Sequence, residues 1–597
     1  MDANKAAQLI KEAMAAVQRG DLQAALVRVT QFTPISPLYP QSLHLHGLIV
    51  LAQGRHSEAL QMLLAAMDGG DQSPLLATNV ALAAMAGGVV DAGLLRKLTG
   101  WLTGKLPDAA TAAALMPLLD ALKFSKQQDF GRDGLVFREL VVPLLHWSAQ
   151  RQHYDIALFL EGRAYEAYVK QRETEAHYRE CFALLAPPLV DAGRRLGQQL
   201  PMLTMPQRSR PRIGFFIHNA SMLAHIEALI NMLAGYRALA EQPFDPVVYC
   251  FGGKHAEMMA AFQRIDVPVV MLEADCPDKS SFCRRLMYLR ERLAADGACC
   301  LVWVSLSIMM SFAFSMRVAP VQIWWSMKFH ALALDDIDGY VTSGSFSRTE
   351  FKVGRLWRAG RLQVANRHDP SLRPEAERIA ATYRPHKIIG TLARHELIRS
   401  APFLDVVIEV LRRNPDAVYL WTGRQEAPDI VARFQQAGVA DRTCFVGWVN
   451  IKVYAQVLDV FLDTFPFGCG FALLDTMAAG TPVVFMDADP AGDDPSYDRI
   501  IRPMLEGRTG APEDTAKARV IFTAPDGESL FLHAADKAEY VRIVTRLLNE
   551  PALARAAGAA GKAFMDAMMS NPQQSAQDFA EHFMEVIEER RMTLEMQ

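Results

Sequence analysis

Residues 462–485, LDTFPFGCGFALLDTMAAGTPVVF, combine two glycines, a short helix and an acid in a way that could grip a nucleotide. Pro466 has no backbone donor, and Gly468 and Gly470 favour turn dihedrals. The chain must therefore bend between the apolar run that ends at Leu462 and a helix that starts near Phe471. Amides at a helix N-terminus point outward unpaired, and the helix dipole adds partial positive charge there, which suits a phosphate. Gly468, Gly470 and Phe471 are thus the expected phosphate-side residues, and Asp475, one or two turns in, is placed for a ribose hydroxyl. Gly480 should cap the helix C-terminus before Val483, Val484 and Phe485 re-enter a sheet. Two acid pairs, Asp487 with Asp489 and Asp336 with Asp338, have the spacing a metal would use. Both read as acids of loops or strand ends, and no metal is expected.

The elements that must position these residues alternate. In 206–365, strands are expected at 212–217, 246–251, 267–272, 301–304 and 322–325, with helices at 222–239, 283–295 and 308–317. A strand and turn at 338–343 then close the domain. Such alternation predicts a parallel sheet with helices on both faces. His218 falls in the loop after the first strand, and Lys328 and His330 fall in the loop after 322–325. All three would open onto the C-terminal sheet edge, where ligands of open α/β sheets lie. Residues 366–387, rich in Pro, Arg and Glu, read as a connection. A second Rossmann-like domain spans 388–597, with strands at 388–391, 418–421 and 444–446 and helices at 401–413 and 454–458 leading into the opening stretch. Three helices between 537 and 591 close it.

Residues 1–205 read as helix throughout. Gly20, Gly54 and Gly88 recur at a 34-residue interval, each followed by a small residue at 25, 59 or 93. That is the period of tetratricopeptide repeats, whose helical hairpins bury their apolar faces only against their neighbours. A further hairpin is expected over 154–186, ended by Pro187 and Pro188. Pro201, Pro206 and Pro211, with Arg208, Arg210 and Arg212, mark a linker. The helical segment either presents a concave surface to a protein or peptide, or braces the two α/β domains.

A chain of 597 residues exceeds one core, and its 51% apolar and 21% charged composition is that of ordinary globular domains. With a net charge of -4 and no recurring basic block, nucleic-acid binding is not expected. Eight cysteines lie scattered without metal-ligand spacing, which reads as reduced thiols of a cytoplasmic protein. The N-terminus lacks the apolar core of a signal peptide. The apolar run 299–314 is broken by Ser305, Ser307 and Ser311, so a buried strand and helix are expected rather than membrane insertion.

The run from Asp463 to Gly468, followed at once by a helix with Asp475 and then Ala479, Gly480, Thr481 and Pro482, resembles the donor-site segment of GT-B glycosyltransferases of the O-GlcNAc transferase type. It is more similar still to bacterial transferases that glycosylate high-molecular-weight adhesins. The resemblance covers about 210–590 and is dense around 388–485. It implies a helical domain ahead of a GT-B fold of two Rossmann-like domains, the last helix crossing back to the first. It further implies a UDP-hexose donor, an Asn or Ser/Thr side chain of an adhesin- or flagellin-like protein as acceptor, and inverting transfer without a metal. Arg399, in Arg399-Ser400-Ala401-Pro402 where the family has Lys-x-x-Pro, is the implied diphosphate contact. His225 is the implied general base, and His218 competes for that role. Two departures leave the donor open. Gly470, Phe471 and Ala472 stand where the family has His-Thr-Thr, and Lys328 and Phe329, with His330 after them, stand where it has His-Pro. Alternative readings are a flagellin-type transferase using a CMP-nonulosonic acid, a lipid or polysaccharide transferase, and a non-catalytic repeat scaffold.

Overall fold

A computed structural model of the chain describes residues 1–597 except 106–107, 125–128, 172–174, 254, 305, 327–333, 344–355, 361–366, 466–467, 487–500, 508–511 and 597. It forms two compact units. One joins Met1–Pro201 with Asp278–Leu286 and Ser307–Met316; the other holds Met202–Pro277, Met287–Leu306 and Arg317–Gln597.

The first unit is helical. Gly20, Gly54 and Gly88 all sit at positive φ, between 67° and 78°; the first two close the hairpins Ala3–Gln18 with Leu22–Val29 and Tyr39–Ala52 with His56–Asp68, whereas beyond Gly88 the helix Leu75–Gly87 packs against Asp108–Ala121 rather than against Ala92–Lys105. The 34-residue interval is therefore a recurrence of left-handed turns, which glycine adopts without steric cost. Ala25 and Ala59 are fully buried as expected, but Gly93 is exposed at the start of its helix. Pro187 and Pro188 do not end a helix: Glu175–Gly197 runs through both. Packing explains the difference. A Cβ on Gly193 would lie 2.4 Å from the Phe312 carbonyl oxygen and one on Gly197 2.8 Å from that of Met316, so this helix lies directly against Met310–Ser315. Such contact along a long helix outweighs the roughly 3 kcal/mol that an interior proline costs.

The second unit holds two parallel sheets. The first, in the order β3-β2-β1-β4-β5-β6-β7, comprises β1 Arg212–Asn219, β2 Asp245–Gly252, β3 Val269–Met271, β4 Ala298–Val304, β5 Val321–Ser326, β6 Gly339–Ser343 and β7 Leu356–Gly360. The second, in the order β10-β9-β8-β11-β12-β13, comprises β8 Lys387–Thr391, β9 Ala417–Trp421, β10 Thr443–Phe445, β11 Val460–Leu462, β12 Val483–Met486 and β13 His533–Ala534. Central strands such as β4 are buried along their whole length, which is why they read as unbroken apolar runs. Among the described residues no helix is long and apolar enough to cross a membrane.

Several boundaries differ from the sequence reading. β1 extends to Asn219, so His218 is a strand residue. The first sheet does not close at 338–343, because β7 adds beyond it. Helix forms over Ile451–Tyr454 rather than 454–458. The connection 366–387 contains the helix Arg373–Ala381, whose Ala376 is buried in the core of the second sheet with Ile388 and Leu392. At the C-terminus, Pro572–Glu595 crosses back to the first sheet, placing Phe579, Phe583 and Val586 in a core with Phe215, Ile323 and Trp325. There it meets the helix Ala224–Arg237 so closely that a Cβ on Gly235 would lie 2.1 Å from the Pro572 carbonyl oxygen.

Candidate nucleotide site

β11 ends at Leu462, and the glycines after it serve separate purposes. A Cβ on Gly468 would meet Asp463 Oδ2 at 2.9 Å, while the other oxygen, Oδ1, accepts the Cys469 N–H at 2.7 Å. Gly468 therefore lets the turn fold down on a buried carboxylate. Gly470 has φ 60° and ψ -122°, a conformation side chains rarely adopt, yet a Cβ there would meet nothing within 4 Å. Its requirement is conformational, and the space beside it is open. The helix Phe471–Ala479 follows, and among the described residues no side chain caps its first turn, the arrangement in which leading amides can receive an anion. Gly480, at φ 82°, ends it as the expected C-cap. The helix Pro551–Phe564 locks this end, because Gly558 approaches so near that a Cβ would lie 2.0 Å from the Gly480 carbonyl oxygen.

Asp475 is 4% exposed. Its Oδ1 lies 3.2 Å from Nη1 of Arg367, a residue the sequence reading did not single out. The same Nη1 lies 2.7 Å from Oε2 of Glu227, and the guanidinium carbon sits 4.3 Å from the centroid of the Phe471 ring. Burial pushes the Asp475 carboxyl up to about 6; Arg367 opposes that shift and Glu227 adds to it. Glu227 stands in the first turn of Ala224–Arg237, two residues after His225, which is half-buried. The helix that carries His225 is thereby tied to the helix that carries Asp475. His218 lies elsewhere, at the end of β1, edge-on to Phe216 at 5.1 Å and to Trp303 at 5.3 Å.

Arg399 is exposed, between the short helix His395–Ile398 and Ala401–Arg413, with Nε 3.3 Å from Asp429 Oδ2. An exposed pair of this kind is worth about 0–1 kcal/mol, so the guanidinium is readily released. Loops after β8, β9 and β10 are stitched together at the same edge. Thr422 Oγ1 accepts from Ala393 N and donates to Ala393 O, each at 2.8 Å, and Gly423 N donates to Gly447 O at 3.2 Å. They present Trp448, 61% exposed, with the Arg424 guanidinium 5.9 Å from its ring. Neither residue was singled out from sequence, although an aromatic just after a strand end in such a sheet is the signal available.

Lys328 and His330 lie outside the described residues, as do Asp487 and Asp489. Asp338 ties β5 to β6: its Oδ2 accepts from Arg317 Nη2 at 2.7 Å and from Gln322 N at 2.8 Å. Among the described residues no three His, Cys, Asp or Glu side chains converge as a metal set.

Residues 387–503, from β8 through the helix Phe471–Ala479 and beyond, match the family described as glycosyl transferases group 1. No curated protein matches the chain. Among solved structures, a mutant of Thermobaculum terrenum O-GlcNAc transferase is similar over 99% of both chains, at 17% identity and a TM-score of 0.50. Anabaena Alr3699/HepE, in complex with UDP and glucose, aligns with 62% of this chain and 98% of its own at 12% identity and a TM-score of 0.45. S. aureus TarM, in complex with ligands that include UDP, aligns with 63% of this chain and 99% of its own at 9% identity and a TM-score of 0.41. At 17% identity the likeness to the O-GlcNAc transferase is one of fold: a helical N-terminal region followed by the two parallel sheets of GT-B.

Proposed function

We infer that this chain, a GT-B glycosyltransferase working from a nucleotide-sugar donor, moves a hexose from UDP to an Asn or Ser/Thr side chain of a protein. The observation that carries the reading is the uncapped helix start behind Gly470, with Asp475 buried one turn further on, inside the glycosyl transferases group 1 span. In this reading the leading amides at Gly470 and Phe471 and the guanidinium of Arg399 neutralise the departing diphosphate, and Asp475 takes the ribose. Lys328 and His330 are assigned to the same donor. His225 accepts the acceptor's proton as its oxygen or nitrogen attacks the anomeric carbon in line and the nucleotide leaves, so the anomeric configuration inverts. His218, hemmed by Phe216 and Trp303, is the second choice of base. Cations and amides carry the leaving-group charge, so transfer should not need a metal.

The helical unit, with its glycine-closed hairpins of tetratricopeptide period, is assigned to an adhesin- or flagellin-like acceptor. The eight cysteines lie scattered without metal-ligand spacing, and the reaction is assigned to the bacterial cytoplasm. The loss of hydroxyls at 470–472 favours one alternative donor, a CMP-nonulosonic acid. Calorimetric titration with UDP and with CMP, on wild type and on Asp475→Ala, tests the assignment. Micromolar UDP binding that is lost in the variant supports it. Preference for CMP moves the donor to the nonulosonate class, and binding of neither nucleotide leaves the non-catalytic scaffold. Transfer to protein that persists in EDTA, and falls by about 10²–10⁴ in Arg399→Ala or His225→Ala, would complete the case.

A further inference from the structure

Arg367 is 5% exposed, and only one of its nitrogens is engaged. Nη1 holds Glu227 at 2.7 Å and Asp475 at 3.2 Å, whereas Nε and Nη2 are buried without an acceptor among the described residues. Those two nitrogens form the edge of a guanidinium that can donate to two neighbouring oxygens at once. A buried arginine with that edge unpaired is uncommon and points to a partner that the described residues do not supply. The charge balance narrows the choice. One guanidinium already faces two carboxylates, so the cluster carries no surplus positive charge for a further anion. A neutral ligand with two adjacent hydroxyls fits better, because each hydroxyl oxygen can accept from the guanidinium edge while its O–H donates to a carboxylate. Asp475 is that carboxylate, at the longer of the two Nη1 contacts. Glu227, at the shorter one and on a different helix, holds Arg367 in place when Asp475 turns to a ligand.

Resting on the nucleotide-sugar reading above, we propose that Arg367 is a donor-binding residue that recognises ribose. Its Nε and Nη2 donate to the two oxygens of the nucleotide's cis-diol, Asp475 accepts from the diol's hydroxyls, and Glu227 anchors the guanidinium. The pocket then discriminates ribonucleotides from 2′-deoxyribonucleotides. It is also completed by the helix that carries His225, so donor binding fixes the first turn of that helix.

The test is calorimetry on the full-length protein with UDP, CMP and their 2′-deoxy forms, comparing wild type, Arg367→Lys and Glu227→Gln. Lysine keeps the charge but offers no two-donor edge. Wild type should prefer the ribonucleotide by about tenfold or more, the loss expected when a charged donor and an acceptor both lose a hydroxyl. Arg367→Lys should bring that preference to within about threefold, because the ribonucleotide loses two donors and the 2′-deoxy form, which keeps one of the two oxygens, loses only one. Glu227→Gln, which keeps Arg367 but loosens it, should fall between the two. Undiminished discrimination in Arg367→Lys, or equal binding of both forms by wild type, overturns the proposal and leaves the transferase reading standing. Failure of wild type to bind any of the four overturns both.

Discussion

Replacing Asp475 with asparagine should stabilise the protein and abolish nucleotide binding, and the gain should depend on pH. Burial raises this carboxyl from 3.8 to about 6, so the folded state takes up a proton more readily than the unfolded one. The stability linked to that proton is fully present below the unfolded value, near pH 4, and is lost as pH rises through the folded value. The shift of about two pKa units corresponds to about 3 kcal/mol, lost in full above roughly pH 6.5. Asparagine stays neutral, and its carbonyl can still accept from Arg367. Asp475→Asn should therefore gain about 1 kcal/mol at pH 4.5 and about 3 kcal/mol at pH 7.5. Urea unfolding of both proteins at the two pH values, without nucleotide, reads this difference directly. A gain of equal size at both values would show that Arg367 fully offsets the penalty of burial, and a loss confined to pH 7.5 that it exceeds it; in either case the reasoning would fail.

The same proton linkage applies to Glu161, buried in the helix Tyr154–Ala167, where it accepts the Met309 N–H at 2.9 Å and burial pushes its carboxyl up to about 8. Glu161→Gln keeps an acceptor for that N–H and should stabilise by about 2 kcal/mol at pH 6 and about 5 kcal/mol at pH 9; denaturant midpoints across that range check it, and a flat difference would refute it. Gly470→Ala meets no steric contact, so its effect is conformational: a loss of about 1–3 kcal/mol in stability, together with weakened nucleotide binding by calorimetry. Arg399→Ala should change the unfolding midpoint by less than about 1 kcal/mol, because its pair with Asp429 is exposed, while raising the Kd for a nucleoside diphosphate far more than that for the monophosphate. Gly558→Ala should destabilise the donor half measurably by melting, since the new Cβ would strike the Gly480 carbonyl that ends the donor helix.

The features legible in the sequence are those fixed by local backbone chemistry. Gly480 reads as a C-cap and is one, and the regular interval of Gly20, Gly54 and Gly88 reads as turns and is so, though only the first two of them close a packed hairpin. Apolar runs gave the central strands of both parallel sheets, of which β4 is buried along its whole length, but not the edge strands β7 and β13. Local chemistry misled at Pro187 and Pro188, where packing against Met310–Ser315 overrides two residues that break isolated helices. It was silent on Arg367, which stands 108 residues before Asp475, inside a segment whose composition looks like a tether. Only the fold brings that guanidinium to the donor helix, and no periodicity or motif records a contact at such separation.

Phe471 can then be understood without supposing a decayed site. The position has lost a hydroxyl that the resemblance leads one to expect, but the ring now lies under Arg367 at 4.3 Å, a cation–π contact worth about 0.5–2 kcal/mol. That ledge holds a cation one turn from the carboxylate it pairs with. A scaffold with no ligand would gain nothing from Asp475 buried at the expense of its own ionisation, from two unpaired guanidinium nitrogens, or from a backbone conformation at Gly470 that few residues can adopt. All three lower stability, and neither sheet needs them in order to form. Their convergence on one helix start is what a binding site with its own way of holding the donor requires, and it is why the loss of the hydroxyls argues for a changed grip rather than for a lost activity.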